Sequence, residues 1–151
     1  MRPSVVEGQY SKAKRPNKII ASYLKEEDIQ NHPSPVRWRP IPSVKEGESA
    51  NFVEGLTSLM GAGEPSLKQG VAIYAYSANR SMDKTAFYNS DGDFLILPHS
   101  GTLYVRTLTG RLVVNPKEFL VIPRGIKFSI DCKEEIKGWV AEVFGHHFGL
   151  P

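Results

Sequence analysis

The sequence has one cysteine, Cys132, among its 151 residues, so it can form neither an internal disulfide nor a cysteine-rich zinc site. The neighbouring Lys133, Glu134 and Glu135 supply no base at a spacing that would activate a thiol. We therefore predict that Cys132 is a partly buried, unreactive thiol in or just after a strand.

Long apolar runs and clustered charge are lacking as well. No stretch approaches the ~20 apolar residues of a membrane-spanning helix, and no secretory leader is recognisable, so we expect a cytoplasmic protein. The net charge of +3 is small and the basic residues are scattered, which argues against nucleic-acid binding. Hydrophobic residues at 40% and charged residues at 23% are typical of a globular domain.

The four histidines lack the spacing of a metal site. His32 lies in a proline-rich stretch and His99 in a predicted turn, and neither has a second ligand at a suitable offset. His146 and His147 are adjacent, so an extended chain places their side chains on opposite faces. Glu142 precedes His146 by four residues, a spacing that suits metals on a helix, but this stretch predicts a strand. We predict that the histidines make structural hydrogen bonds.

Residues 1–51 predict an irregular arm. The first 31 residues are rich in charge and poor in bulky apolar side chains, which indicates a solvated segment. A mitochondrial leader is the alternative, but Glu7 and the lack of a long amphipathic period argue against it. Four prolines in residues 32–42 exclude a helix or a central strand there. We expect Trp38 to anchor this stretch to the barrel, with a proline-rich ligand for another domain as the alternative.

Residues 52–151 predict an all-β domain of short strands separated by turns, the pattern of a sandwich or barrel. The predicted strands include residues 70–76, a stretch through Phe87, the apolar run 94–97 that ends at Pro98, the alternating stretch 102–107, and the last strand, 137–144, with Trp139 and Val140 on opposite faces.

Two stretches within this domain allow other interpretations. Residues 52–60 have a helix-like spacing of apolar side chains that Gly55 weakens. The acidic residues Asp91, Asp93 and Asp131 could be read as paired carboxylates of a hydrolytic site. Because acidic residues beside glycine turns are common, we instead interpret all three as turn residues.

Four short motifs resemble the back half of a cupin barrel: Gly-Thr-Leu at 101–103, Gly-Arg-Leu at 110–112, Asn-Pro-Lys-Glu at 115–118 and Ile-Pro-Arg-Gly at 122–125. Metal-binding cupins hold their ion with a His-x-His pair, a carboxylate and a later histidine. In this sequence those four positions are Phe87, Asn89, Asp93 and Phe128. Because only one of them is a strong ligand, we expect this barrel to bind no metal.

A narrower resemblance rests on longer motifs. They are Arg-Ser-Met at 80–82, Phe-Tyr-Asn-Ser-Asp-Gly-Asp-Phe-Leu-Ile at 87–96, Ile-Pro-Arg-Gly-Ile-Lys-Phe-Ser-Ile-Asp at 122–131 and Glu-Val-Phe-Gly-x-His-Phe-x-Leu-Pro at 142–151. With the shorter pieces at 2–5, 37–40 and 52–56, they resemble the homogentisate 1,2-dioxygenase family, whereas residues 6–31 match it poorly. The resemblance implies an all-β, cupin-like jelly-roll barrel or sandwich with an irregular amino-terminal arm.

The same resemblance implies an activity located elsewhere in such a protein. Members of the family cleave the ring of homogentisate with Fe(II) and dioxygen to give maleylacetoacetate in tyrosine and phenylalanine breakdown. Two histidines and a glutamate hold the iron in a later domain, which also carries the catalytic histidine. The sequence therefore singles out no catalytic, metal or substrate-binding residue here, and we expect the chain alone to be inactive.

The expected role is structural, with contacts in a homo-oligomer or with a separate carboxy-terminal catalytic half. The alternative from a different class is a stand-alone, non-catalytic cupin-like protein that binds or scaffolds. The loss of metal ligands at Phe87, Asn89 and Phe128 fits both hypotheses equally well.

Overall fold

The computed structural model describes Val44 and residues 47–149. The predictions for the arm, including its basic cluster, His32 and Trp38, lie outside the described residues. The boundary between residues 51 and 52 stays a prediction. Within the described part of the chain, none of the helices has the length and apolar character to cross a membrane.

In the described part of the chain, eight strands form two antiparallel sheets, which confirms the predicted all-β fold. They are β1 (Leu56–Glu64), β2 (Gln69–Ala78), β3 (Gly92–Ser100), β4 (Leu103–Thr107), β5 (Gly110–Val114), β6 (Leu120–Ile122), β7 (Phe128–Asp131) and β8 (Ile136–Phe144), with a short 3-10 helix at Pro65–Leu67.

The last strand of the domain lies at the centre of the larger sheet. That sheet has the order β1-β2-β8-β3-β6, and the smaller one has the order β5-β4-β7. Strand β8 pairs along its length with both β2 and β3, so these two consecutive strands are joined by a strand that lies much later in the sequence. The inner faces of the two sheets enclose one apolar core.

Most predicted strands are confirmed, and their faces follow the predicted alternation. In β4, Leu103 and Val105 are buried, whereas Tyr104 and Arg106 are half-buried. In β8, Val140 is buried and the neighbouring Trp139 is 44% exposed.

The helix-like stretch 52–60 is not a helix. Asn51 caps a single turn, because its Oδ1 accepts hydrogen bonds from the Val53 and Glu54 amides at 3.0 Å each. From Leu56 onward the chain pairs with β2 instead. Local apolar spacing was misleading here because pairing with a long neighbouring strand outweighs the weak helix propensity around Gly55.

Two predicted strand limits were also wrong. Strand β3 does not end at Pro98 but continues to Ser100, with Pro98 opposite Gly138 of β8. Because β6 pairs only with Phe94–Ile96 of β3, the missing N–H of Pro98 is tolerated beside an open side of the sheet. The predicted strand through Phe87 is reduced to an isolated bridge.

The centre of the core is a cluster of aromatic rings. The Phe52 ring lies 5.0 Å from Tyr76 and 6.1 Å from Phe128, measured between ring centroids. Phe87 stacks on Phe94 at 5.9 Å and meets Phe128 edge-on at 5.6 Å. These geometries are the favourable ones for aromatic pairs, so the cluster joins both sheets with more than apolar burial alone.

One member of this cluster has an unsatisfied polar atom. The Tyr76 hydroxyl is buried, finds no hydrogen-bond partner among the described residues, and has a pKa that burial raises above its ordinary value. A buried hydroxyl without a partner loses about 1–3 kcal/mol of hydration free energy.

We therefore expect Tyr76→Phe to raise the free energy of unfolding by about 1 kcal/mol, because the ring contacts remain and the unpaired hydroxyl is removed. Urea denaturation followed by circular dichroism measures the change. Tyr104→Phe, at a half-buried position, is the control and should stay within about ±0.5 kcal/mol. A destabilised Tyr76→Phe variant would mean that the hydroxyl does have a partner.

Candidate functional site

Two of the four positions that the cupin resemblance assigns to metal ligands carry phenylalanine. Phe87 and Phe128 are 5% and 1% exposed, and their rings belong to the aromatic cluster. An aromatic hydrocarbon ring has no lone pair to offer a metal ion. Neither phenylalanine could therefore serve as a metal ligand.

The described residues do not fit ferrous iron. A non-haem iron site takes about three imidazole and carboxylate ligands. No group of three or more His, Cys, Asp or Glu side chains that could hold an ion occurs in the described part of the chain. The iron that the family resemblance implies therefore has no place among these residues, and we derive no chemistry through it here.

Beside the aromatic rings lies a buried polar cluster of Tyr74, Asn89 and Glu142, here called the Glu142 cluster. Glu142 is 2% exposed and shares the inner face of β8 with Val140 and Phe144. Its Oε2 accepts a hydrogen bond of 2.6 Å from the Tyr74 hydroxyl of β2. Its Oε1 accepts one from Asn89 Nδ2.

Burial raises the pKa of Glu142 to about 7, although the hydrogen bonds from Tyr74 and Asn89 act in the opposite direction. The negative charge of Asp91 raises the pKa further. A carboxyl group with this pKa exchanges its proton near neutral pH, where an ordinary glutamate is fully ionised. Within the described residues, the Glu142 cluster is thus a proton-binding site inside the barrel.

Sequence reasoning missed Glu142 as a buried acid. It considered this residue only as a partner for His146 at a helical spacing. The usable signal was the strand alternation, because Val140, Glu142 and Phe144 must share one face of β8 and two of them are apolar.

Asp93 is not a turn residue, which corrects that interpretation. It lies in β3, is 1% exposed, and points away from the inner face that holds the adjacent Phe94. Its carboxylate accepts hydrogen bonds from the amides of Arg124 at 2.9 Å and Phe148 at 3.3 Å, and contacts His147 Nδ1 at 3.0 Å. Through these hydrogen bonds, Asp93 holds the turn after β6 and the segment after β8 against the larger sheet.

Burial alone would raise the pKa of Asp93, but the hydrogen bonds from Arg124, His147 and Phe148 outweigh it and hold the pKa below its ordinary value. A depressed pKa means that the ionised form stabilises the fold. This contribution is present above the pKa of the unfolded chain, 3.8, and is lost as the pH falls further.

We expect Asp93→Asn to lower the free energy of unfolding at pH 7 by about 1–3 kcal/mol, because an amide offers one acceptor oxygen to three donors. The loss should shrink as the pH falls below about 4, because Asp93 of the unfolded chain then takes up a proton while the folded carboxylate, with its depressed pKa, stays ionised to lower pH. Urea denaturation at pH 7 and pH 3 measures both values. Asp83→Asn, at an exposed position, is the matched control. Equal losses for the two variants would contradict the role of Asp93.

The histidines, Cys132 and Asp131 are the remaining residues considered in the sequence analysis. All three described histidines, His99, His146 and His147, are exposed, and His147 makes the predicted structural hydrogen bond, with Asp93 as its partner. Cys132 directly follows β7 and is partly buried, as predicted, and burial raises its thiol pKa. Asp131 belongs to β7 and pairs with Arg106 at 2.9 Å, so its interpretation as a turn residue was wrong.

Asp91 does lie in a bend, before β3. The structure thus keeps the three acidic residues in separate roles and does not pair their carboxylates.

Solved structures with a similar fold include cupins. The chain resembles a cupin superfamily protein from Desulfitobacterium hafniense with a TM-score of 0.45 and 17% identity, over 72% of this chain and 94% of that one. It resembles vicilin from Solanum melongena with a TM-score of 0.49 and 13% identity, over 65% of this chain and 31% of vicilin. These likenesses concern the fold alone.

Curated relatives are more similar in sequence. Homogentisate 1,2-dioxygenase from Drosophila melanogaster is 48% identical over 121 residues, which cover 80% of this chain and 28% of the relative. The Caenorhabditis elegans protein of the same name is 41% identical over 152 residues, and the human protein is 44% identical over 126. The alignments cover 100% and 83% of this chain, and 34% and 28% of those relatives.

The chain thus spans about a third or less of the length of these relatives. The family model described as homogentisate 1,2-dioxygenase N-terminal matches residues 1–151. This match covers the whole sequence, including the segments in which the sequence motifs were found. The chain therefore belongs to the homogentisate 1,2-dioxygenase N-terminal family.

Proposed function

We propose that this chain serves as the amino-terminal, non-metal domain of a homogentisate 1,2-dioxygenase. The family match over residues 1–151 carries this proposal. The chain corresponds to 28–34% of the relatives described above, which leaves most of such a protein outside it. The ferrous iron and the groups that cleave the ring belong, in this proposal, to that other part.

The complete protein, in this proposal, opens the homogentisate ring with dioxygen and forms maleylacetoacetate in the cytoplasm. The present domain, with residues 1–51 as an arm and residues 52–151 as the barrel, gives structural support and subunit contacts in a homo-oligomer. The aromatic cluster supports this division of labour, because Phe87 and Phe128 fill metal positions with rings that stabilise the fold.

We expect the purified chain to show no cleavage of homogentisate above a metal-only control when ferrous iron and oxygen are supplied. The reason is the donor set, since the described residues bring no three strong ligands together. Absorbance of the ring-opened product measures the reaction, and the complete Drosophila relative serves as the positive control. Turnover by the chain alone would overturn the proposed division of labour.

The stand-alone scaffold is the alternative that the aromatic interior also favours. Its discriminating measurement is the intact mass of the protein purified from its native source. A mass near 16.8 kDa would support a scaffold, or a split dioxygenase with its catalytic half on another polypeptide. A much larger mass would support one domain of a complete dioxygenase.

A further inference from the structure

The larger sheet carries apolar side chains on the face that points away from the core. Strand alternation turns them outward, and pairing across β2, β8 and β3 sets them in two adjacent rows: Ile73, Ala141 and Leu95 in one, and Ala75, Trp139 and Leu97 in the other. We call these six residues the outer apolar face. Trp139 and Leu97 are 44% and 39% exposed. Because a solvated face of an antiparallel sheet is normally polar, this face calls for a cover.

The outer face of the smaller sheet is charged instead. Arg106 of β4 lies opposite Arg111 of β5 and forms an ion pair of 2.9 Å with Asp131 of β7. Charged side chains are rarely buried, so this face is suited to water. The need for a cover therefore concerns the larger sheet.

Val44 lies at the edge of the outer apolar face. Its amide donates to Ser77 Oγ and to Glu135 Oε1, at 3.2 Å each. Ser77 lies two residues beyond Ala75 in β2 and so shares its outward direction. Opposite Ser77 in β8 is Lys137, which forms an ion pair of 3.2 Å with Glu135. Residues 1–43 therefore join the barrel at a polar row that borders the outer apolar face.

We propose that the outer apolar face is the docking surface for residues 35–43 of the same chain, which cross it in an extended, polyproline II-like conformation with Trp38 and Ile41 against it. This goes beyond the proposed structural role, because it assigns a binding surface to the barrel and a location to the predicted anchoring of Trp38. It holds whether or not the chain belongs to a complete dioxygenase.

The sequence before Val44 supplies a matching apolar stripe. Every third residue is apolar, in the order Pro35, Trp38, Ile41 and Val44. Polyproline II, the conformation that a proline-rich segment favours, has three residues per turn, so it puts these side chains on one side. Because proline has no N–H, such a segment is poorly suited to extend a sheet at its edge. It can cover a face through its side chains.

The dimensions of the segment and of the face agree. At about 3.1 Å per residue, polyproline II places Ile41 about 9 Å and Trp38 about 19 Å from Val44. With a rise of about 3.4 Å per residue and a strand spacing of about 4.8 Å, the nearer row of the outer apolar face begins about 7 Å from Ser77, and Leu95 lies about 17 Å from it. Both side chains therefore reach the face.

Tryptophan fluorescence tests the docking. The chain has two tryptophans, so Trp139→Phe leaves Trp38 as the only one and keeps an aromatic ring on the face. In this variant of the full chain, we expect blue-shifted emission from Trp38 and a quenching constant for acrylamide several times smaller than that of N-acetyltryptophanamide. A Trp38 quenched as readily as the free compound would overturn the proposal.

A change on the face should release Trp38. Added to Trp139→Phe, Leu97→Lys is expected to raise the quenching constant to that of the free compound, because docking would bury the lysine and bring it close to Arg37 and Arg39. Leu112→Lys is the matched control, since Leu112 of β5 is 47% exposed and lies in the smaller sheet. Equal quenching in the two lysine variants would contradict docking on the larger sheet.

Two changes in the docked segment keep the test decisive if Leu97→Lys does not fold. Ile41→Lys alters the apolar stripe, whereas Val36→Lys makes a similar change off the stripe and closer to Trp38 in sequence. We expect Ile41→Lys to expose Trp38 and Val36→Lys to leave it shielded, with the circular dichroism of the barrel unchanged in both. Equal exposure of Trp38 in the two variants would overturn the proposed stripe.

Other occupants of the face give different results. If a second copy of the chain covered it, Trp38 would become accessible to acrylamide on dilution to concentrations at which sedimentation shows the monomer. If a part of the dioxygenase outside this chain covered it, Trp38 would be accessible at every concentration. Either result overturns the proposal, and shielding of Trp38 that persists in the monomer supports it.

Discussion

Phe128→Ala is expected to lower the free energy of unfolding by about 3–5 kcal/mol, the usual loss for a buried phenylalanine in a well-packed core. Phe128 is 1% exposed, and its ring contacts those of Phe52 and Phe87. Its backbone bridge to Phe87 does not depend on the ring, so the variant removes packing between the two sheets and keeps the pairing. A loss of this size is a large fraction of the about 5–15 kcal/mol that stabilises a typical domain.

Urea denaturation followed by circular dichroism gives the comparison, with Phe119→Ala as the matched control. Phe119 is 63% exposed, so removing its ring should change the free energy of unfolding by no more than about 0.5 kcal/mol. Similar losses in the two variants would mean that the aromatic cluster does not stabilise the domain. Such a result would also remove the structural explanation for aromatic side chains at Phe87 and Phe128.

The strands that sequence predicted best are those whose two faces differ in polarity. In β4, the alternation of Leu103 and Val105 with polar neighbours determined both the strand and its buried face. The turns predicted at Gly110 and Gly125 marked where strands end. Both glycines adopt positive φ angles, 157° and 81°, which other residues rarely adopt. Period and turn chemistry are local properties, so they are visible in one sequence.

Features that depend on distant partners could not be predicted in the same way. Residues 52–60 have the spacing of a helix, yet Leu56 and the residues after it pair with β2. A proline ends a strand only where a neighbouring strand needs the backbone N–H that proline lacks. Because β6 pairs with only one part of β3, Pro98 can lie within that strand. Sequence alone does not reveal which neighbour a strand will have or how far that neighbour extends.

In the candidate site, too, some features could be predicted from local sequence and others depend on distant partners. The motif comparison singled out Phe87, Asn89 and Phe128, and these residues lie at the aromatic cluster and the Glu142 cluster. It did not reveal that Glu142, 53 residues after Asn89, completes a buried hydrogen-bonded group with it. Nor did it reveal that Asp93 faces away from the interior, because its amide donors come from the turn after β6 and the segment after β8.

The pH dependence of global stability is the second large effect that we expect. The pKa of Glu142, about 7 in the folded protein, lies above the ordinary value of 4.5 that applies to the unfolded chain. The folded state therefore holds this proton more tightly, and the stabilisation from the neutral carboxyl is complete below pH 4.5 and lost as the pH rises through about 7. The difference in pKa corresponds to a loss of up to about 3 kcal/mol.

Other groups also titrate in this range, so the informative quantity is the difference in free energy of unfolding between Glu142→Gln and wild type at each pH. Glutamine resembles the protonated acid, since its oxygen can accept from Asn89 while its amide donates to Tyr74. Relative to its value at pH 4.5, we expect this difference to rise in favour of the variant by about 3 kcal/mol at pH 8. A difference that stays constant with pH would mean that Glu142 is ionised throughout, and that the barrel interior tolerates the charge. The predicted rise would instead mean that the fold tolerates Glu142 beside the aromatic rings because its carboxyl group is neutral there.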